Sequence, residues 1–123
     1  MLYTILCYNS EQLVGSWTKE QDDAVMARLI AVQDRMAKNG KLGPVARLHS
    51  TKSAKTLWKD RSPHLITDGP YAETKEAILG FYVVDCATEE EAMEFVKELG
   101  EVNPGGAYEL RPISYFQPGT AAP

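Results

Sequence analysis

The sequence predicts a single domain of the α+β class. Its 123 residues are 44% hydrophobic and 24% charged, as in an ordinary globular domain. Two segments repeat apolar side chains at helical spacing, and each follows a threonine that can cap a helix. The other apolar segments are shorter, rich in β-branched and aromatic residues, and separated by turn residues. Strands interleaved with only two helices favour an antiparallel sheet with helices on one face.

The first strand is predicted at residues 2–8, and the first helix begins after Thr18. Gln21 follows three residues later, so the two side chains can form a capping box. Gly40 ends the helix, because glycine readily adopts the left-handed conformation found there. Between these limits, apolar side chains recur on one face at Val25, Leu29, Val32 and Met36.

The middle of the chain predicts extended structure. Residues 45–50 and 54–59 resemble the two strands of a hairpin, and residues 64–67 form a short further strand. Residues 77–86 follow a polar loop and are apolar at successive positions, which is typical of a strand covered on both faces.

The second helix is predicted after Thr88, with Glu91 completing another capping box and Gly100 ending it. A last strand follows at residues 107–116, where Pro112 indicates an edge position or a bulge. The domain therefore spans residues 1–116, and residues 117–123 form a flexible tail. The apolar face of the second helix comprises Ala92, Phe95, Val96 and Leu99.

This order of elements fits a ferredoxin-like βαββαβ arrangement with an inserted hairpin. Both helices lie on one face of the sheet, yet residues 2–8 and 77–86 carry apolar side chains for both faces. Leaving them in water forgoes about 1.5–3 kcal/mol for each large side chain. We therefore expect a homodimer that packs sheet against sheet, which is a dimeric α+β barrel.

Composition excludes several classes of function. The formal net charge of −4 disfavours a nucleic-acid binder, and no segment predicts a signal peptide or a membrane span, so we expect a cytoplasmic protein. Cys7 and Cys86 lie far apart and are expected to be reduced core thiols. Neither the spacing of metal ligands nor a nucleotide-binding glycine motif is present, so we expect no metal and no cofactor.

The densest group of polar residues is the loop that follows the short strand. Asp68 could point into a cleft and act as a base or ligand anchor, with Lys75 as its charge partner. Alternatively, Asp68 only caps the turn, and Glu73, Lys75 and Glu76 form a solvated surface. His49 and His64 are the only imidazoles; His49 and the hydroxyl of Tyr82 are further candidate ligand-binding groups.

Charge is distributed unevenly along the chain. Residues 38–61 are strongly basic, whereas the second helix is acidic. This asymmetry could steer an anionic ligand, organise assembly or bind a protein partner, or it could be an ordinary solvated surface.

The run Ile66–Glu76, ITDGPYAETKE, followed by LGFYVVD, resembles the motif of DGPF-domain proteins in the YciI-like, or YCII-related, family. The resemblance covers all but the tail. Tyr71 stands where that family has Phe, Leu79 where a second glycine is frequent, and His49 where proline is common. The His–Asp pair proposed for the YciI-like branch does not transfer, because the first 48 residues contain no histidine.

The resemblance implies a dimeric α+β barrel. It assigns the polar lining of a cleft to Asp68, Glu73, Lys75 and Glu76, with Gly69, Pro70 and Gly80 shaping the backbone. It implies an enzyme or a small-ligand binder. Our leading hypothesis is a small-molecule cleft near Asp68 that supports cofactor-free acid–base chemistry of the lyase, isomerase or hydrolase type. The alternatives are a regulatory module that binds a protein such as an extracytoplasmic-function sigma factor, and a structural dimer whose motif only holds the loop.

Overall fold

The structure is a computed structural model that describes residues 1–122. Within this range, an antiparallel sheet is covered on one face by helices, and a two-stranded hairpin lies apart from the sheet. The strands are β1 (Leu2–Ser10), β2 (Leu42–Arg47), β3 (Lys55–Trp58), β4 (Leu65–Asp68), β5 (Glu76–Asp85) and β6 (Ala107–Pro112). The helices are α1 (Glu11–Gly15), α2 (Lys19–Lys38) and α3 (Glu89–Val102).

The sheet has the order β2-β5-β1-β6, with every neighbouring pair antiparallel. This is the ferredoxin-like order, so the predicted α+β fold class is confirmed. Strand β6 lies at the edge of the sheet and has β1 as its one neighbouring strand. Pro112 lacks a backbone N–H, and at an edge there is no second strand to which that group would have to donate. The final strand ends at Pro112 rather than at residue 116. Residues 117–122 of the predicted tail form no helix or strand, and residue 123 lies outside the described residues.

Helices α2 and α3 cover one face of the sheet and bury the core. The predicted capping box at Thr18 forms in full, because the Thr18 hydroxyl accepts from the Gln21 amide and the Gln21 side chain accepts from the Thr18 amide. At α3, Thr88 accepts from the Glu91 amide, but the Glu91 carboxylate instead binds the Lys41 ammonium at 2.7 Å. The helix continues through Gly100 to Val102, so the predicted end was wrong by two residues.

None of the helices within residues 1–122 is long and apolar enough to cross a membrane.

The predicted pairing of the middle strands was wrong. Strand β2 pairs with β5, whereas β3 pairs with β4, so the inserted hairpin is β3–β4. A single turn of 3₁₀ helix, Thr51–Ser53, separates β2 from β3. The Ser50 hydroxyl caps this turn by accepting from the Lys52 amide, and the chain therefore leaves the sheet before β3 begins.

The face of the sheet opposite the helices is only partly covered in the single chain. Tyr3, Ile5 and Tyr82 face the helices and are buried. By the alternation of strands, Leu6 and Phe81 lie on the other face, directly opposite each other, and both remain half-buried. The sheet thus carries apolar side chains on both faces, as predicted, but only the helix face is sealed within one copy.

Candidate functional site

Asp68 lies at the end of the hairpin and faces solvent. Its carboxylate forms an ion pair with Lys55, the residue opposite on β3, at 2.6 Å, and the Asp68 side chain is 87% exposed. The ion-pair partner of Asp68 is therefore Lys55 rather than the predicted Lys75. The role of Asp68 as a base or ligand anchor stays a prediction, and this placement favours a role in shaping the hairpin.

The backbone after Asp68 turns sharply and is fixed to β3. Gly69 has a φ of +100°, a conformation that side-chain-bearing residues rarely adopt, and its amide donates to the Ala54 carbonyl at 2.8 Å. The Thr56 hydroxyl donates to the Gly69 carbonyl at 2.9 Å. Beyond Pro70, the ring of Tyr71 packs on Trp58 with ring centroids 5.3 Å apart. We call residues 68–76 the motif loop. These contacts hold its first half against the hairpin.

A groove of about 690 Å³ lies between this loop and the end of the sheet. Ligand sites for small molecules commonly enclose about 300–1,000 Å³ within mainly apolar walls. Tyr8 and Ile78 are opposite each other on β1 and β5 and form the sheet side of the groove. The full lining is Tyr8, Leu48, His49, Ser50, Thr51, Ser53, Ala54, Pro70, Tyr71, Ala72, Thr74, Glu76, Ala77 and Ile78.

The groove unites some of the predicted site residues and leaves others outside. His49 and Glu76 line it and bring an imidazole and a carboxylate to apolar walls. Asp68, Glu73 and Lys75 are exposed and are not part of its lining. The motif loop therefore contributes to the groove through Pro70, Tyr71, Ala72, Thr74 and Glu76.

Glu11 holds the segment that carries His49, and sequence reasoning missed it. Its carboxylate accepts from the Thr51 amide at 2.8 Å and also from the Thr51 hydroxyl. Helix α1, which positions Glu11, lies between the predicted strand at residues 2–8 and the predicted helix after Thr18, where no helix was expected. Ser10 was the available signal, because its hydroxyl caps the helix by accepting from the Leu13 amide at 3.2 Å.

Acidification should loosen this segment. The hydrogen bonds from Thr51 hold the pKa of Glu11 below its ordinary range. A lowered pKa means that the contact contributes stability above the unfolded-state pKa and loses it as the pH falls through the folded-state value. We expect hydrogen exchange at the Thr51 amide, corrected for the intrinsic effect of pH, to show less protection below about pH 4. Glu11→Gln should remove this pH dependence, whereas an unchanged protection factor in the wild type would contradict the assigned role.

A second, smaller pocket of about 110 Å³ lies between the sheet and α2. Tyr82 lines this pocket rather than the groove, so the predicted grouping of Tyr82 with the motif loop does not occur in the structure. Asp22 and Arg47 form a bidentate ion pair in the lining of this pocket, with N–O distances of 2.8 and 3.1 Å. The Arg47 guanidinium holds the pKa of the Asp22 carboxyl below its usual range.

Gly80 lies on β5, where it pairs with Arg47 of β2. A Cβ atom on Gly80 would come within 2.5 Å of the Ala46 carbonyl oxygen, so any larger residue would push the two strands apart. This contact explains the need for glycine at this motif position.

The two cysteines are free thiols, half-buried at Cys7 and buried at Cys86. Burial raises the pKa of the Cys7 thiol to about 12 and that of the Cys86 thiol to about 11. Both therefore stay protonated at neutral pH, and the thiolate is the reactive form. Within residues 1–122, no group of three or more His, Cys, Asp or Glu side chains is arranged to hold a metal ion.

Comparison with known proteins places this architecture in a family. The sequence model of the YCII-related domain matches residues 1–117. The chain belongs to the YCII-related family. An uncharacterized protein of Rhizobium meliloti (strain 1021) is 49% identical over 120 residues, which cover 97% of each chain.

A solved structure supports the fold of this YCII-related domain. The 5-chloro-2-hydroxyhydroquinone dehydrochlorinase of Burkholderia phenoliruptrix AC1100, in complex with 2,5-dihydroxybenzoquinone, superposes with a TM-score of 0.54. The match covers 94% of this chain and 96% of the other at 14% sequence identity. At this identity the similarity establishes the shared α+β fold.

Proposed function

We propose that this YCII-related domain is a cofactor-free acid–base enzyme that acts on a small, mainly apolar molecule bound in the groove. The observation that carries the proposal is the position of His49 beside the motif loop, in a groove of about 690 Å³. Imidazole changes its charge near neutral pH more readily than other side chains, so it can accept and return a proton during turnover.

The walls of the groove favour a planar, apolar substrate with polar substituents. Tyr8 and Tyr71 contribute aromatic rings, and Leu48 and Ile78 contribute aliphatic surface. Glu76 and the hydroxyls of Ser50 and Thr74 provide hydrogen-bonding groups at the lining. The dehydrochlorinase with the same fold is a precedent, because its bound ligand is a hydroxylated six-membered ring.

In the proposed mechanism, the imidazole of His49 removes a proton from a carbon or hydroxyl of the substrate, or from water in a hydrolysis. It later gives that proton to another atom of the product or to the leaving group. Glu11 is a positioning residue, because its contacts with Thr51 fix the backbone two residues after His49. Asp68 and Lys55 stabilise the hairpin that supports Tyr71. The reaction belongs to the lyase, isomerase or hydrolase type.

We also propose that a second copy of the chain completes the groove. Tyr8 and Ile78 form one side of the groove and continue the row of half-buried side chains that includes Leu6 and Phe81. A partner sheet on this face would cover that row and close the groove from above. The hairpin adds exposed Leu57 and Ile66, and an isolated two-stranded hairpin is only marginally stable without cover.

The ion pairs within the chain argue against the alternative, a regulatory module that binds its partner through surface charge. Basic residues of the region 38–61 and acidic residues of α3 are partly neutralised within the chain. Lys41 binds Glu91, and Arg35 of α2 binds Glu98. Fewer unpaired charges therefore remain to attract a partner than the sequence alone indicates.

Thermal-shift measurements with small quinones and phenols, beginning with 2,5-dihydroxybenzoquinone, test the proposed groove. A ligand at 100 times its dissociation constant should add about 2.7 kcal/mol of stability, which raises the Tm by on the order of 10 °C. His49→Gln should reduce the shift. His64→Gln is the matched control, because His64 is exposed and does not line the groove. Equal shifts in both variants, or no stabilisation by any compound, would contradict the proposed site.

A further inference from the structure

The inner pocket between the sheet and α2 contains a hydroxyl group without a protein partner. Tyr82 is only 7% exposed and lines the pocket, yet its hydroxyl forms no hydrogen bond with any residue in the range 1–122. The Tyr82 hydroxyl is not among the fully enclosed side-chain atoms that lack a partner in the described residues, so it is open to the pocket rather than sealed in the core. Buried hydroxyls normally have a partner, and this one can obtain it only from the pocket.

A second hydroxyl points to the same ligand chemistry. Tyr108 also lines the pocket, and its hydroxyl oxygen accepts a hydrogen bond from the Asn103 amide at 2.7 Å. Since the oxygen already accepts from Asn103, the hydroxyl proton remains free to donate. Burial raises the pKa of Tyr82, with Cys7 and Tyr108 raising it further, and burial also raises the pKa of Tyr108. Both phenols are therefore neutral donors at physiological pH.

The remaining lining excludes a strongly charged ligand. Among the described residues that line this pocket, only Arg47 and Asp22 are ionised at neutral pH, and they neutralise each other in their ion pair. Val25, Met26 and Leu29 of α2 form an apolar roof. A neutral ligand with an apolar body and one acceptor oxygen satisfies both features.

We propose that the inner pocket is a second small-molecule site, in which Tyr82 and Tyr108 donate hydrogen bonds to the carbonyl oxygen of a compact, neutral, apolar compound. A closed cavity of about 150 Å³ is known to admit benzene, so this smaller but partly open pocket of about 110 Å³ limits the ligand to a five-membered ring or a shorter ketone. The site shares only Tyr8 with the lining of the groove and does not depend on the activity proposed there.

Cyclopentanone is a suitable probe, and methyl NMR of methionine provides a local reporter. Met26 lines the pocket, whereas Met36 and Met93 do not. Titration of the wild-type protein should shift the Met26 methyl resonance in a saturable manner and leave that of exposed Met93 in place. Absence of a saturable Met26 shift up to the solubility limit of the ketone would overturn the proposal.

Tyrosine-to-phenylalanine variants distinguish a hydrogen-bonding site from an apolar cavity that binds the ketone nonspecifically. Tyr82→Phe and Tyr108→Phe should each weaken cyclopentanone binding about 3- to 10-fold, as expected for the loss of one neutral hydrogen bond. Tyr3→Phe is the matched control, because Tyr3 is 5% exposed in the same core but does not line the pocket. His49→Gln should leave this binding unchanged, which distinguishes the pocket from the groove. Equal affinity in wild type, Tyr82→Phe and Tyr108→Phe would refute the role of the two hydroxyls.

Discussion

Replacing His49 with glutamine is expected to lower kcat/KM for a groove substrate by about 10²- to 10⁴-fold, the usual contribution of a general acid or base. Glutamine preserves hydrogen bonding and approximate size but cannot carry a proton in this pH range. Stability should change little, because His49 is exposed in the loop. The measurement is steady-state turnover of a compound that the thermal-shift screen identifies, together with the Tm of the variant.

His64 again provides the control for this loss of turnover. His64→Gln changes the same residue type at an exposed position outside the groove and should retain wild-type turnover. A variant at Glu11 should give an intermediate loss, since Glu11 acts through the backbone that carries His49. Full activity in His49→Gln would show that the imidazole does not move the proton.

Introducing a charge at Phe81 should convert the proposed dimer to a monomer. Phe81 lies opposite both Leu6 and Ala46 on the face away from the helices, at the centre of the sheet. In a sheet-to-sheet dimer, Phe81→Glu would bury an unpaired carboxylate on each side, at a cost of several kcal/mol. Sedimentation equilibrium should give twice the chain mass of 13.6 kDa for the wild type and the single mass for the variant.

Ile30→Glu is the matched control for this substitution. Ile30 is 45% exposed on α2, whose buried positions face the sheet on its other side. The same apolar-to-acidic change should therefore leave the dimer intact. The proposed interface would be wrong if the wild-type chain sediments as a monomer at micromolar concentration, or if both variants dissociate equally.

The two predictions are linked through the groove. Tyr8 and Ile78 lie both at the groove and on the face that the partner would cover. If a second copy closes the groove, Phe81→Glu should also weaken ligand binding without touching His49. Loss of binding in the monomeric variant would then report the partner's contribution to the site.

Sequence periodicity determined the two long helices and the class of the fold. The spacing of Val25, Leu29 and Met36 on α2, and of Phe95 and Leu99 on α3, selects one buried face for each helix, and local capping residues mark where both begin. The strand that became β5 was also evident, because its apolar residues need cover on two faces. These signals are local, so they can be read without knowledge of the tertiary fold.

Strand pairing and the composition of the site depended on contacts between distant residues. The sequence of residues 45–59 does not indicate that β2 pairs with β5 or that β3 pairs with β4. Strands pair through backbone hydrogen bonds, and these depend little on which side chains are present. The motif loop was recognisable, but its side chains point in different directions: Asp68 binds Lys55 in solvent, whereas Glu76 lines the groove. Only the tertiary structure decides which of these polar groups share a cavity.

What the sequence determined by itself was therefore the two long helices, the succession of strands, the two-sided apolar sheet and the polar loop before β5. The tertiary structure decided that His49 joins this loop across the groove, and that Tyr82 belongs to a separate pocket beneath α2. The physical reason is that side-chain periodicity specifies which surface is buried, whereas the convergence of distant side chains depends on strand order, register and chain reversal.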